Sequence, residues 1–165
     1  MARKKSNRPT LDGSGPSFIF LGPCHTMPGV MNNASDPIGE LLKRAKTIAV
    51  VGLSDSPLRP SHGVAAYMQT AGYRIIPVNP AIQGALGEKA VKSLRDIQGK
   101  IDIVDVFRRS EFVPEVVDEA IELGIPAIWL QEGVVHEAAA EKARKAGIFV
   151  VMDLCILKEH RKRVG

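Results

Sequence analysis

Residues 47–72 read TIAVVGLSDSPLRPSHGVAAYMQTAG. Ile48, Ala49, Val50 and Val51 form a short apolar run, rich in β-branched residues, of the kind buried on both faces of a parallel sheet. Gly52 stops it. Polar and proline-containing positions follow until apolar periodicity resumes at Val64, with Ser61 placed as an N-cap and Gly72 as a helix-ending glycine. Strand, glycine turn, hydroxyl-rich loop and helix, in that order, aim backbone N–H groups and a helix N-terminus at an anion. The stretch is expected to be the phosphate-binding turn of a nucleotide-type ligand.

Outward from this unit, the same alternation repeats. Upstream, Ser35, Asp36 and Pro37 read as a helix start, and Ile38, Leu41, Leu42 and Ala45 form one apolar stripe. Downstream, residues 73–78 are a second strand closed by Asn79-Pro80. Residues 81–100 carry Gly84, Gly87 and Gly99, with a weak helical signal over 90–97. Residues 101–107 are a third strand. Val113, Val116, Val117, Ala120, Ile121 and Leu123 mark a helix stopped by Gly124 and Pro126. A fourth strand over 127–130, an alanine-rich helix over 135–146, a fifth strand over 149–152 and a short helix over 156–163 complete the chain. Five short apolar strands alternating with helices imply an α/β, doubly wound, mostly parallel five-stranded sheet in a three-layer sandwich. In such sheets ligands lie at the carboxyl ends of the strands, at the topological switch point. The loops at 52–62, 79–80, 107–110 and 131–133 are therefore the candidate site.

Composition narrows the possible roles. A chain of 165 residues with 45% hydrophobic and 24% charged content suits one globular domain. We read residues 1–30, rich in Gly, Pro, Ser and basic residues, as a disordered leader, and 31–165 as a single domain. Met27 and Met31 are candidate translation starts. No apolar run has the roughly 18–20 residues that span a bilayer, which points away from the membrane and toward the cytoplasm. The net charge of +4 comes from the ends: residues 1–30 and 158–165 each carry +3, leaving −2 between them. Basic ends on an acidic body read as solvated tails, not as a nucleic-acid face. Cys24 and Cys155 define neither a metal motif nor a disulfide framework.

The loops discriminate among nucleotides. A dinucleotide fingerprint would place a second glycine where Ser54 stands. The loop is also longer than a tight dinucleotide turn, and adds Ser56, Ser61 and Arg59, whose guanidinium suits phosphate. Sheets that bind NAD usually carry a carboxylate at the end of the second strand for the ribose; here the chain reads Val78-Asn79-Pro80. Of Arg108 and Arg109, one is expected to face a phosphate, such as a ribose 3′-phosphate, and the other to face solvent or pair with Glu111. Gly133 permits close ligand approach, Gln131 can hydrogen-bond an amide or base, and Glu132 reads equally as a surface charge.

A catalytic constellation is not evident. His25, His62, His136 and His160 offer no metal spacing, and neither a nucleophile elbow nor a Walker-type loop occurs. His62, at a helix start, is the one acid–base candidate. Cys155 is either a reactive thiol or inert core, and Asp153 beside it either orients a loop or does chemistry.

As a set, IAVVGLSDSPLRPSHGVAAYMQTAGYRIIPVNP, IDIVDVFRRSEFVPEVVDEAIELGIPAIWLQEGV and VVMDLCILKEHRK resemble the small stand-alone CoA-binding proteins. These are similar to the N-terminal domain of the succinyl-CoA synthetase α subunit. The resemblance implies a Rossmann-like fold with coenzyme A across the carboxyl edge of the sheet. It places the CoA phosphates near Gly52, Leu53, Ser54, Ser56, Arg59, Ser61 and His62. Asn79, Pro80, Phe107 and Arg108 would border the adenosine or pantetheine arm, with Gln131, Glu132 and Gly133 opposite. The synthetase's phosphohistidine domain and nucleotide-grasp partner have no counterpart in these motifs. The expectation is non-catalytic binding of CoA or an acyl-CoA, with a protein partner or self-association possible. The competing expectation is an NAD(P)-dependent oxidoreductase, or an acyl-CoA-acting enzyme using His62 or Cys155.

Overall fold

The computed structural model describes residues 35–165. The expectations for residues 1–30, with Met27, Met31, Cys24 and His25, lie outside them. The chain runs α1 (Pro37–Arg44), β1 (Thr47–Val51), α2 (Pro60–Thr70), β2 (Arg74–Val78), β3 (Gly84–Ala85) and β4 (Glu88–Lys89). It continues through β5 (Ile103–Val106), α3 (Val113–Glu122), β6 (Ala127–Leu130), α4 (Glu137–Lys145), β7 (Phe149–Val151) and α5 (Ile156–Arg163). Short 3₁₀ turns occupy Leu94–Asp96 and Ser110–Phe112. As its sequence suggested, α1 begins at Asp36, whose side chain accepts a 3.1 Å bond from the Gly39 N–H, with Pro37 in the first turn.

Five strands form one parallel sheet in the order β2-β1-β5-β6-β7. The β1-to-β2 crossover carries α2 on one face. The β5-to-β6 and β6-to-β7 crossovers carry α3 and α4 on the other, so winding reverses between β1 and β5. Strand alternation divides the core accordingly. Ala49, Val51, Val104, Val106, Ile128 and Leu130 pack toward α3 and α4. Ile48, Val50, Ile103, Ala127 and Trp129 pack toward α1, α2 and α5. This is the expected doubly wound, Rossmann-like α/β sandwich.

Two local readings are corrected. The helical signal over 90–97 is realised only as the 3₁₀ turn at Leu94–Asp96, preceded by a bridge that pairs Val91 with Val78 at the sheet edge. Just upstream, Leu86 (φ 57°) and Gly87 (φ 78°) make a two-residue turn with both φ positive, which closes the small hairpin of β3 with β4. The basic end at 158–165 is not a solvated tail. In α5, His160 is buried with Nδ1 3.0 Å from the Tyr67 hydroxyl, and Arg163 pairs with Glu159 and Asp36. Among the described residues no helix is long and apolar enough to cross a membrane.

Candidate functional site

The reversal between β1 and β5 opens a cleft of about 410 Å³ at their carboxyl ends, lined by Gly52, Ser54, Arg59, Pro60, Ser61 and Phe107. A smaller cleft, about 180 Å³, lies at the opposite edge beside Lys100 and Pro126, away from the converging loops. Gly52 is required by its surroundings. Its φ is +85°, and a Cβ there would stand 2.6 Å from the Phe107 carbonyl oxygen. Its own N–H is bonded to Val78 O at 2.9 Å.

The loop after Gly52 is held from within. The Ser54 N–H donates to Ser61 Oγ (3.1 Å), and the Ser56 N–H donates to Ser54 Oγ (3.2 Å). Both hydroxyls therefore act as acceptors here, and each keeps its own O–H to donate. Asn79 Nδ2 donates to Leu53 O (2.9 Å), while Asn79 Oδ1 accepts from the Ala81 N–H (2.9 Å). Asn79 thus ties the first loop to the turn after β2. Leu53 is 0% exposed and supports the loop from beneath instead of lining the cleft. Ser61 is not the N-cap: Arg59 holds that position, Pro60 is the first helical residue, and the His62 and Gly63 N–H groups bond to Arg59 O. Proline's fixed φ shifts the helix start by two residues and frees the Ser61 side chain to bridge the loop.

Arg59 is exposed and makes no ion pair among the described residues. The two arginines after β5 separate as the sequence allowed. Arg109 pairs with Glu111 at 3.6 Å, whereas the Arg108 guanidinium lies over the Phe112 ring, 4.9 Å from its centroid. The Arg108 Cγ would stand 3.0 Å from a Cβ on Gly52, so its stem passes beside the turn at Gly52. His62 is half-buried in the first turn of α2. Pro80 is exposed beyond Asn79.

At the other side of the edge, Gln131 is only 3% exposed, and its Nε2 donates to Oδ1 of Asp105 at 2.7 Å. Its side-chain amide is committed to the protein, not offered to a base. Burial pushes the Asp105 carboxyl up to about 7, opposed by the hydrogen bonds from Gln131 and the Val106 backbone. Glu132 is exposed and pairs with Lys158 at 2.6 Å. Gly133 (φ 84°) donates its N–H to Asp153 Oδ1 at 2.8 Å, which gives Asp153 an orienting role. Cys155 is partly exposed at the N-cap of α5. Sequence reasoning missed Asp105 and Phe112. Asp105 had a signal: a carboxylate inside a strand buried on both faces needs a partner.

This geometry defines a Rossmann-like protein with a built, basic-rimmed cleft at the switch point of its sheet. The chain belongs to the CoA-binding domain family, whose model matches residues 46–161; membership supports association with CoA. It is 53% identical over 131 residues to the uncharacterized protein YneT of Bacillus subtilis, covering 79% of this chain and 97% of that one. A hypothetical protein from Pyrococcus horikoshii has a similar structure, with a TM-score of 0.76 and 38% identity over 78% of this chain and 90% of that one. The chain is also 27% identical over 121 residues to the ADP-forming acetate–CoA ligase II of Archaeoglobus fulgidus. That match takes in 72% of this chain but 17% of the ligase.

Proposed function

We propose that residues 31–165 form one domain that binds CoA or an acyl-CoA at the carboxyl edge of the sheet, without catalysis of its own. The cleft at the β1/β5 reversal carries the reading. Gly52 lets the ends of β1 and β5 come together at the cleft, Ser54 and Ser61 present hydroxyls, and Arg59 and Arg108 supply positive charge beside it. These residues suit the phosphates of CoA, with the loop over 52–61 taking the diphosphate and Arg108 the ribose 3′-phosphate. The side-chain amide at the end of β2, where a ribose carboxylate would favour NAD, supports CoA over a dinucleotide. A 3′-phosphate also gives Arg108, free of carboxylate partners among the described residues, an anion to meet. The short match to a much longer ligase supports a module that carries, senses or delivers CoA to a protein partner, and we propose that it works in the cytoplasm, alone or with a second copy.

Calorimetric titration tests this, with CoA, dephospho-CoA, NAD and NADP at fixed salt, beside an Arg59→Ala variant. Saturable CoA binding that weakens without the 3′-phosphate, and weakens again in the variant, is the expected result. Binding of NAD or NADP without CoA would overturn the reading and bring the oxidoreductase forward.

A further inference from the structure

We infer that Phe112 is the positioning residue for Arg108, and so sets how strongly this site discriminates the 3′-phosphate of CoA; this rests on the CoA reading above. Arg108 leaves the end of β5 with its stem beside Gly52, and a long cationic side chain there has many rotamers to sample. No carboxylate holds it among the described residues, since Glu111 is taken by Arg109. What holds it is the Phe112 ring, 4.9 Å below the guanidinium carbon. An aromatic face attracts the cation while leaving its N–H donors unspent, so they remain available to an anion. A carboxylate at the same place would instead consume those donors and oppose a phosphate.

Phe112 is itself fixed from three sides. Its N–H donates to Arg109 O at 3.0 Å within the 3₁₀ turn Ser110–Phe112. The next residue, Val113, is fully buried in the core. Ser110 Oγ accepts a 3.1 Å bond from the Val135 N–H, which anchors the turn to the segment after β6. The turn that carries the ring is therefore anchored, and the ring over which Arg108 lies preorganises the guanidinium for an anion at the edge of the cleft.

The test is titration of CoA and dephospho-CoA into the unaltered chain and into Phe112→Leu, Phe112→Tyr, Arg108→Ala and the Phe112→Leu/Arg108→Ala double variant, with thermal unfolding of each. Phe112→Leu is expected to weaken CoA by about three- to tenfold, the range of a partly exposed cation–π contact, and to leave dephospho-CoA within about twofold. Phe112→Tyr keeps the aromatic face and should restore discrimination. In the Arg108→Ala background the leucine should cost nothing further. Equal losses for both ligands, failure of tyrosine to rescue, or additive losses in the double variant would overturn the assignment while leaving CoA binding standing. Failure of the unaltered chain to bind CoA would overturn both.

Discussion

Nε2 of Gln131 donates a 2.7 Å hydrogen bond to Oδ1 of Asp105, and the two side chains are buried together at the carboxyl ends of β6 and β5. Asp105 sits in register with Val50 and Trp129, between apolar neighbours. Desolvation is the main cause of its raised pKa, and the single amide partner only partly offsets it.

The consequence is a pH-dependent cost. Burial pushes the carboxyl up to about 7 in the folded chain, from its ordinary value of 3.8 in the unfolded one. Between those values the folded state binds the extra proton, so this group's contribution is fully favourable below about 4 and is lost as pH rises through 7. Asp105→Asn keeps an oxygen for Gln131 and removes the charge. Relative to the unaltered chain, the variant should gain about 2–4 kcal/mol between pH 4.5 and pH 8.5. Urea unfolding of both chains at the two pH values checks this. A stability difference that does not change with pH would refute it.

Gly52→Ala and Gly72→Ala separate room from conformation. Both glycines have positive φ, but a Cβ at Gly72 meets nothing within 4 Å, whereas at Gly52 it meets the Phe107 backbone. Gly72→Ala should cost about 1 kcal/mol of conformational strain, and leave ligand binding alone. Gly52→Ala should cost at least about 2–3 kcal/mol and reduce CoA affinity more than tenfold, because the β1 and β5 ends must part. Denaturant melts with titration of both variants distinguish the two effects.

The sheet and its switch point were legible because largely apolar runs of four to seven residues recur between helical stripes, and that period survives tertiary packing. The place of the loop over 52–61, at a cleft on the carboxyl edge of the sheet, was legible from Gly52 and the topology. Its internal wiring was not, since Ser54, Ser61 and Asn79 have the same composition whether they face a ligand or one another. Hairpin residues Leu86 and Gly87 were missed because a left-handed leucine has no sequence signature. Gln131 was read as facing a ligand because its pairing with Asp105 shows only in the register of β5 with β6.

Ser61→Ala tests the corrected role of that serine. If Ser61 capped α2, its side chain would accept from the Gly63 or Val64 N–H, and its loss would speed amide exchange there. Both already lie inside the helix that starts at Pro60, with the Gly63 N–H on Arg59 O, so their exchange should be unchanged. The Ser54 amide, which loses its acceptor, should exchange faster, with a stability loss of about 1–2 kcal/mol. Residue-resolved hydrogen exchange decides between these patterns.

Trp129 is the chain's one tryptophan, fully buried, with Nε1 donating to Leu154 O at 2.6 Å. That bond pins the segment between β7 and α5, where Cys155 begins the helix. Trp129→Phe keeps most of the apolar volume but leaves the Leu154 carbonyl without this donor, a loss of about 1–3 kcal/mol. The larger effect should be local. With the segment released, the partly exposed Cys155 thiol should react several-fold faster with an aromatic disulfide reagent. Cys24→Ser is the background for the measurement, so that one thiol reports. Faster modification without global unfolding would show that the indole holds this turn in place, while an unchanged rate would mean that Asp153, through Gly133, is sufficient to hold it.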